Sequence, residues 1–258
     1  MDLRLTFNEV PAVYDRWRPT YVPELYADIF KYAGIDHESR ALEVGIGTGQ
    51  ATLPFLKAVC HVTAIELGGE LAAFSRRKFA DYHNVDVINI AFEDYESPDN
   101  AFDIVYSASA FHWIPDEVGY PKVYRLLKSG GTFARFANHP FKDEGNESLH
   151  LAIQALYEQY MPHLSLKKPM KYGEKSAKER SDIGEKYGFT DMDIKLYHRV
   201  RTFDAEGYAS LIKTYSDHWA VGPEALNSFS KRIKEVINDF GGTIDIHDTM
   251  DLQLAKRP

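Results

Sequence analysis

The segment ALEVGIGTGQAT, residues 41–52, constrains the fold of this chain more than any other. A short apolar run passes directly into three alternating glycines, Gly45, Gly47 and Gly49, and then into a helical pattern. Glycine has no Cβ, so such a turn can be tight and a ligand can lie against its backbone, while the start of the next helix offers free N–H groups. Strand, turn and helix in that order open a βαβ unit, and the alternation repeats downstream. Strands are read at ALEVGI (41–46), HVTAIEL (61–67), VDVINI (85–90), FDIVYSA (102–108) and TFARFAN (132–138). Helices are read over 23–33, 50–59 and 70–83, with a further one ending near Lys128. The expected fold class is therefore α/β, a doubly wound and mostly parallel sheet. Such sheets bind ligands at the carboxyl ends of their strands, where strand order reverses.

Beyond Asn138 the rhythm changes. Two helical patterns, 144–161 and 176–187, flank HLSLKKPMKYG with no strand between them, which predicts a lid-like helical insertion. The tail offers a strand in DIKLYHRVRTF (193–203), helices in AEGYASLIKTYSDHW and PEALNSFSKRIKEVINDF, and a near-alternating strand in GGTIDIHDTMDLQLAKRP. Two late strands separated by helices would complete a seven-stranded sheet. The division expected is one domain over 1–258: a cap segment 1–35, a ligand-binding core 36–138, the insertion 139–190 and the completing part 191–258.

A chain of 258 residues with 44% apolar and 13% aromatic residues can bury a full core in one domain. Its formal charge of −8 argues against binding the phosphate backbone of nucleic acid, an affinity that comes from clustered Lys and Arg. A small molecule is the expected partner. No stretch reaches the ~18 apolar residues of a membrane span, and the opening residues have neither a signal core nor a transit character, so a cytoplasmic protein is expected. The lone cysteine, Cys60, forms no internal disulfide and reads as a buried free thiol.

The glycine turn does not fit a dinucleotide fingerprint. GxGxxG needs its third glycine where this chain has Gln50 or, in the other register, Thr52. Glu43, two positions before Gly45, would repel a pyrophosphate but welcome a cationic amino group, which favours an amino-acid moiety. A purely structural tight turn is the plain alternative. Glu66, 17 residues after Gly49 at the end of the second strand, can accept hydrogen bonds from the vicinal hydroxyls of a ribose. Otherwise it is a solvated carboxylate at a strand end.

These strings resemble the class I S-adenosylmethionine-dependent methyltransferases. LEVGIGTGQ looks like that family's first motif, AIEL its second, AFEDYESPDNAFDIVYSASAFHWI its third and fourth, and YRLLKSGGTF its fifth-strand motif, with Ser129 in place of the usual proline. The resemblance covers residues 10–138, and the last strand is similar to the reversed final strand of that fold. YDRWRPTY resembles the opening of the trans-aconitate and ubiquinone-biosynthesis type.

The resemblance implies S-adenosyl-L-methionine as cofactor and a small-molecule methyl acceptor. Glu43 and the Gly45, Gly47 and Gly49 turn would hold the methionine end, with Thr48 and Gln50 adding polar contacts. Glu66 would hold the ribose and Leu67 would lie against the adenine. Phe92 and Glu93 would cover the adenine and bond its edge, and Ser107 and Ala108 would close the site beneath the sulfonium. Tyr14 and Arg18 are candidates to cap the cofactor and pair with its carboxylate, with a packing aromatic and a surface charge as the alternatives.

His112, just beyond the fourth strand, is placed to take a proton from a hydroxyl or amine acceptor. Trp113 reads either as an aromatic wall for the substrate or as core. Lys167, Lys168, Lys171 and Tyr172 read either as a reception site for an acidic substrate or as a solvated loop. No HExxH, paired-Cys spacing or GxSxG is present, so no metal or nucleophile triad is expected. Two rivals remain: a nicotinamide-dependent oxidoreductase, and a non-catalytic protein that binds S-adenosylmethionine.

Overall fold

A computed structural model describes residues 11–58, 61–142, 146–165, 171–219 and 221–258. In chain order the elements are α1 (Pro11–Trp17), α2 (Pro23–Ala33), β1 (Arg40–Val44), α3 (Thr52–Lys57), β2 (His61–Glu66), α4 (Gly69–Lys78), β3 (Val85–Asn89), β4 (Phe102–Ala108), α5 (Asp116–Leu126) and β5 (Leu127–Lys142). They continue with α6 (Glu147–Tyr160), α7 (Pro162–Ser165), α8 (Glu174–Lys186), β6 (Thr190–Asp204), α9 (Ala205–Ile212), α10 (Ser216–Trp219), α11 (Pro223–Asp239) and β7 (Thr243–Lys256).

Local chemistry explains the best-defined boundaries. Pro23 starts α2 with its φ already set, and Gly34 ends it in the left-handed region at φ 67°. Asp204 caps α9 by accepting the Gly207 N–H at 2.6 Å. The single helix expected over 205–219 is instead α9 and α10. The break falls where the Thr214 hydroxyl donates to the Leu211 carbonyl at 2.6 Å, taking the acceptor that helix continuation would use.

Among the described residues the strands form one seven-stranded sheet in the order β3-β2-β1-β4-β5-β7-β6. The pairs β1–β2, β1–β4, β2–β3 and β4–β5 are parallel. Between β6 and β7 the contacts run in opposite senses, His198 to Thr249, Arg201 to Asp248 and Thr202 to Asp245, as an antiparallel pair requires. This is the doubly wound, mostly parallel sheet expected. Strand order reverses between β1 and β4, which puts the switch point at the end of β1.

The expected fifth strand, 132–138, is longer in the structure and starts directly after α5, which ends at Leu126 rather than near Lys128. Its pairing with β4 slips: Phe102 faces Leu127, but Ile104 faces Thr132. The residues between bulge outward with Gly130 at φ 76°, and the Gly130 N–H and Gly131 carbonyl bond to Arg257 at 2.7 and 2.9 Å.

The described chain divides into two compact units. One comprises residues up to Arg18, His139–Lys171 and His198–Thr249; the other comprises Pro19–Asn138, Tyr172–Tyr197 and Met250–Pro258. The second unit has apolar packing on both sheet faces. Leu25, Ile29, Phe55, Tyr106, Phe136 and Leu252 belong to one cluster, and Leu42, Val105, Phe111, Val123, Phe133 and Phe189 to the other. The first unit is cored by Ile153, Leu211, Phe229, Ile233 and Ile246. There Arg199 and Arg201 of β6 share the fully buried Asp248 of β7. No helix of the described residues is long and apolar enough to cross a membrane.

Candidate functional site

The glycine turn is built by alternation. Gly45, Gly47 and Gly49 stand at φ 78°, 57° and 80°, a left-handed region that costs any residue with a Cβ. Packing adds to the requirement, since a Cβ on Gly45 would lie 2.4 Å from the Ala110 Cβ, and one on Gly49 2.3 Å from the Phe79 ring. The turn is fastened to β2: the Gly45 and Ile46 N–H groups both donate to the Ile65 carbonyl, at 2.9 and 3.0 Å. From α4, the Ser75 hydroxyl donates to the Gly47 carbonyl at 2.7 Å and the Lys78 ammonium to the Thr48 carbonyl at 2.9 Å.

Glu66 closes this arrangement from the end of β2. It is only 7% exposed, and its Oε2 accepts the Gly47 N–H while Oε1 accepts the Gly68 N–H, both at 2.8 Å. Burial pushes its pKa up against the opposing effect of the N–H donors. A carboxylate has about four lone-pair directions, so two protein donors leave capacity for further hydroxyl donors. The Asn89 amide, at the end of β3, donates to the Glu66 and Leu67 carbonyls at 2.8 and 2.9 Å and fixes the strand end beside it.

This strand-end carboxylate bonded to a glycine turn lies within a recognisable stretch: residues 42–135 match the sequence family described as a methyltransferase domain. An uncharacterised methyltransferase of Mycobacterium tuberculosis is 30% identical over 130 residues, 50% of this chain and 51% of that protein. The chain thus spans about half the length of the mycobacterial relatives it matches. A Dictyostelium discoideum protein named as a methyltransferase is 24% identical over 257 residues, 97% of this chain and 94% of its own. Among solved structures, Haemonchus contortus phosphoethanolamine N-methyltransferase 2 in complex with S-adenosyl-L-methionine shares the fold with a TM-score of 0.55 at 16% identity. The match covers 100% of this chain and 57% of that one.

Within the matched stretch, Glu43 is almost fully buried, at 1% exposure. Its Oε2 accepts both the Thr52 hydroxyl at 2.7 Å and the Tyr106 hydroxyl at 2.9 Å. Tyr106 in turn stacks on Phe55, with ring centroids 3.8 Å apart. Burial pushes the Glu43 pKa up to about 7, against the two hydroxyl donors and with a further push from Glu66. Glu43 therefore ties α3 and β4 to the base of the turn. Thr52 and Tyr106 were not singled out in the sequence, because a hydroxyl on a neighbouring element carries no local signal.

The other domain residues divide between cleft and core. Thr48 Oγ1 accepts the Gln50 amide at 2.6 Å, so these two polar groups hold each other. The Ser107 hydroxyl is fully buried and donates to the Val44 carbonyl at 2.8 Å, joining β4 to β1, while Ala108 is half-buried at the strand end. Phe92 lies in the core beside Phe111, with the Lys122 ammonium 5.5 Å from its ring, and the Glu93 carbonyl accepts that same ammonium at 2.8 Å. Leu67 is half-buried, His112 is exposed, and the rings of His112 and Trp113 lie 4.9 Å apart on a short 3-10 turn after β4. Ser109 is a residue the sequence reading missed. It stands at φ 55° directly after β4, and its hydroxyl bonds the Tyr21 hydroxyl at 2.8 Å and accepts the Asn138 N–H at 3.3 Å.

Three expected residues are engaged by the protein's own groups. The Arg18 guanidinium donates to the Thr214 carbonyl at 2.7 Å and lies over the rings of Tyr14 and Tyr215, 4.9 Å from each, all within the first unit. That engagement also makes Tyr14 a packing partner of Arg18. Tyr172 donates to the fully buried Asp251 at 3.1 Å beneath the Arg180 guanidinium, so its hydroxyl is held within the second unit. Cys60, Lys167 and Lys168 lie outside the described residues. Among the described residues no group of three or more His, Cys, Asp or Glu is placed to hold a metal ion.

Proposed function

We propose that this chain is an S-adenosylmethionine-dependent methyltransferase that passes the methyl group to a small-molecule acceptor in the cytoplasm. The observation that carries the reading is Glu66, a buried carboxylate with unused acceptor capacity held against the glycine turn at the strand-order reversal. The donor set fits the cofactor's chemistry: a carboxylate for vicinal hydroxyls, a backbone cradle without side chains for the amino-acid end, and the half-buried Leu67 for the base. Thr48 and Gln50 would add polar contacts at the cradle, Phe92 and Glu93 would lie by the adenine, and Ser107 and Ala108 would floor the cleft.

When bound, S-adenosylmethionine supplies a methyl group made electrophilic by its sulfonium. The protein's part is to align the acceptor, exclude water and receive any proton released. We assign proton acceptance to the exposed His112 imidazole, with Trp113 beside it as a wall of the acceptor site. The nicotinamide reading is weaker, because Gln50 occupies the position of the third fingerprint glycine. A protein that binds the cofactor without turnover remains the other reading.

Titration calorimetry with S-adenosylmethionine and, separately, NADH tests the assignment. Saturable binding of the first alone is expected, and preference for NADH would overturn it. Transfer of labelled methyl from the cofactor into a metabolite pool then separates an enzyme from a binding protein.

A further inference from the structure

Two side chains of α4, both within the second unit, reach the backbone of the glycine turn. The Ser75 hydroxyl donates to the Gly47 carbonyl at 2.7 Å and the Lys78 ammonium to the Thr48 carbonyl at 2.9 Å, so two successive carbonyls are committed to one helix. Residues three apart share a face of a helix, which lets both meet the same stretch of backbone.

Ser75 is fully buried, and its hydroxyl bond is not a local one. A helical serine can donate to the carbonyl four residues before it, but Ser75 bonds a group 28 residues away in the sequence. Gly47 is thereby held by side chains at both of its polar backbone groups: the N–H by Glu66 at 2.8 Å, the carbonyl by Ser75.

Those two groups belong to different peptide planes, 46–47 and 47–48. A peptide plane is rigid, so a bond to its carbonyl also fixes the direction of its N–H. Glu66 sets the first plane and Ser75 the second. Lys78 sets the third, 48–49, whose Gly49 N–H donates to the Ile46 carbonyl at 2.8 Å. Without these bonds, glycines at φ 57° and 80° on either side of Thr48 would let the planes rotate at little steric cost. A cradle that its ligand had to order would bind more weakly by the entropy of that ordering.

We propose that Ser75 and Lys78 are positioning residues for the amino-acid end of S-adenosylmethionine, holding the glycine turn in its binding shape through the Gly47 and Thr48 carbonyls. The inference rests on the methyl-transfer reading and extends that site to α4. Glu66, proposed to hold the ribose, acts on a different peptide plane. The two ends of the cofactor are therefore positioned separately.

Calorimetry with S-adenosylmethionine and with 5′-methylthioadenosine, which has the nucleoside but lacks the amino-acid end, tests the inference. Ser75→Ala and Lys78→Met are each expected to weaken S-adenosylmethionine by roughly 5–30-fold, equivalent to ordering about one backbone residue, and to leave 5′-methylthioadenosine unchanged. Lys78→Arg keeps a cationic donor and is expected to bind both as the native protein does. A merely structural role would move the two ligands together. Parallel weakening of both ligands, or native S-adenosylmethionine affinity in Ser75→Ala and Lys78→Met, overturns the inference and leaves the cofactor reading standing. A native protein that binds neither ligand overturns both. Lys78 is exposed, so its variants keep the test alive if Ser75→Ala does not fold.

Discussion

The Glu66 carboxylate accepts the Gly47 backbone N–H at 2.8 Å, so the end of β2 clamps the middle of the glycine turn that follows β1. Cleft wall and cleft floor are thereby one hydrogen-bonded unit, and the residue proposed to bind the ribose also sets the shape of the cradle. Glu66→Ala is expected to weaken S-adenosylmethionine binding by roughly 10–100-fold while the protein stays folded, the range expected for losing hydrogen bonds to a charged acceptor. Calorimetry on the variant measures it, and native-like affinity would remove Glu66 from the site.

Two glycines with the same backbone sign should respond differently to a methyl group. Gly34→Ala meets nothing within 4 Å and has only its φ of 67° to bear, a cost of about 1–2 kcal/mol. Gly45→Ala adds a Cβ 2.4 Å from that of Ala110, at φ 78°, and is expected to cost roughly 2–4 kcal/mol. Urea unfolding of both variants compares them, and equal costs would mean that the Ala110 contact relaxes freely.

Glu43 gives the fold a pH dependence of definite sign. Its folded pKa is raised to about 7 from the ordinary 4.5, chiefly by burial, so between those values the folded state holds a proton that the unfolded chain has released. Its contribution therefore favours folding at low pH, declines as pH rises from about 4.5 to 7, and is flat above that, a change of up to roughly 3 kcal/mol. The difference in stability between the native protein and Glu43→Gln, followed by urea unfolding at pH 5 and pH 8, isolates it. A difference that does not change with pH would show Glu43 ionised throughout.

His112 is exposed on the short turn that follows β4. His112→Ala is expected to lower methyl transfer by roughly 10²–10⁴-fold with cofactor affinity unchanged, the effect of removing a general base. Labelled-methyl transfer with the variant reads this. Native turnover would leave proton acceptance to solvent.

The sequence alone determined what depends on neighbours along the chain. The alternation of strands and helices, the boundaries of α2, the left-handed glycines of the turn and the strand-end position of Glu66 follow from local backbone preference and apolar periodicity. These act over a few residues, so they can be read from a few residues. The tertiary structure alone decided which distant groups meet. It put Thr52 and Tyr106 on the Glu43 carboxylate, turned Arg18 to the Thr214 carbonyl and set Ser75 and Lys78 against the glycine turn. It also stopped the helix at Thr214 and slipped the register of β5 after Leu127. Such pairings follow from strand order and burial, which belong to the whole sheet, and a side chain carries no mark of the partner that folding will bring to it.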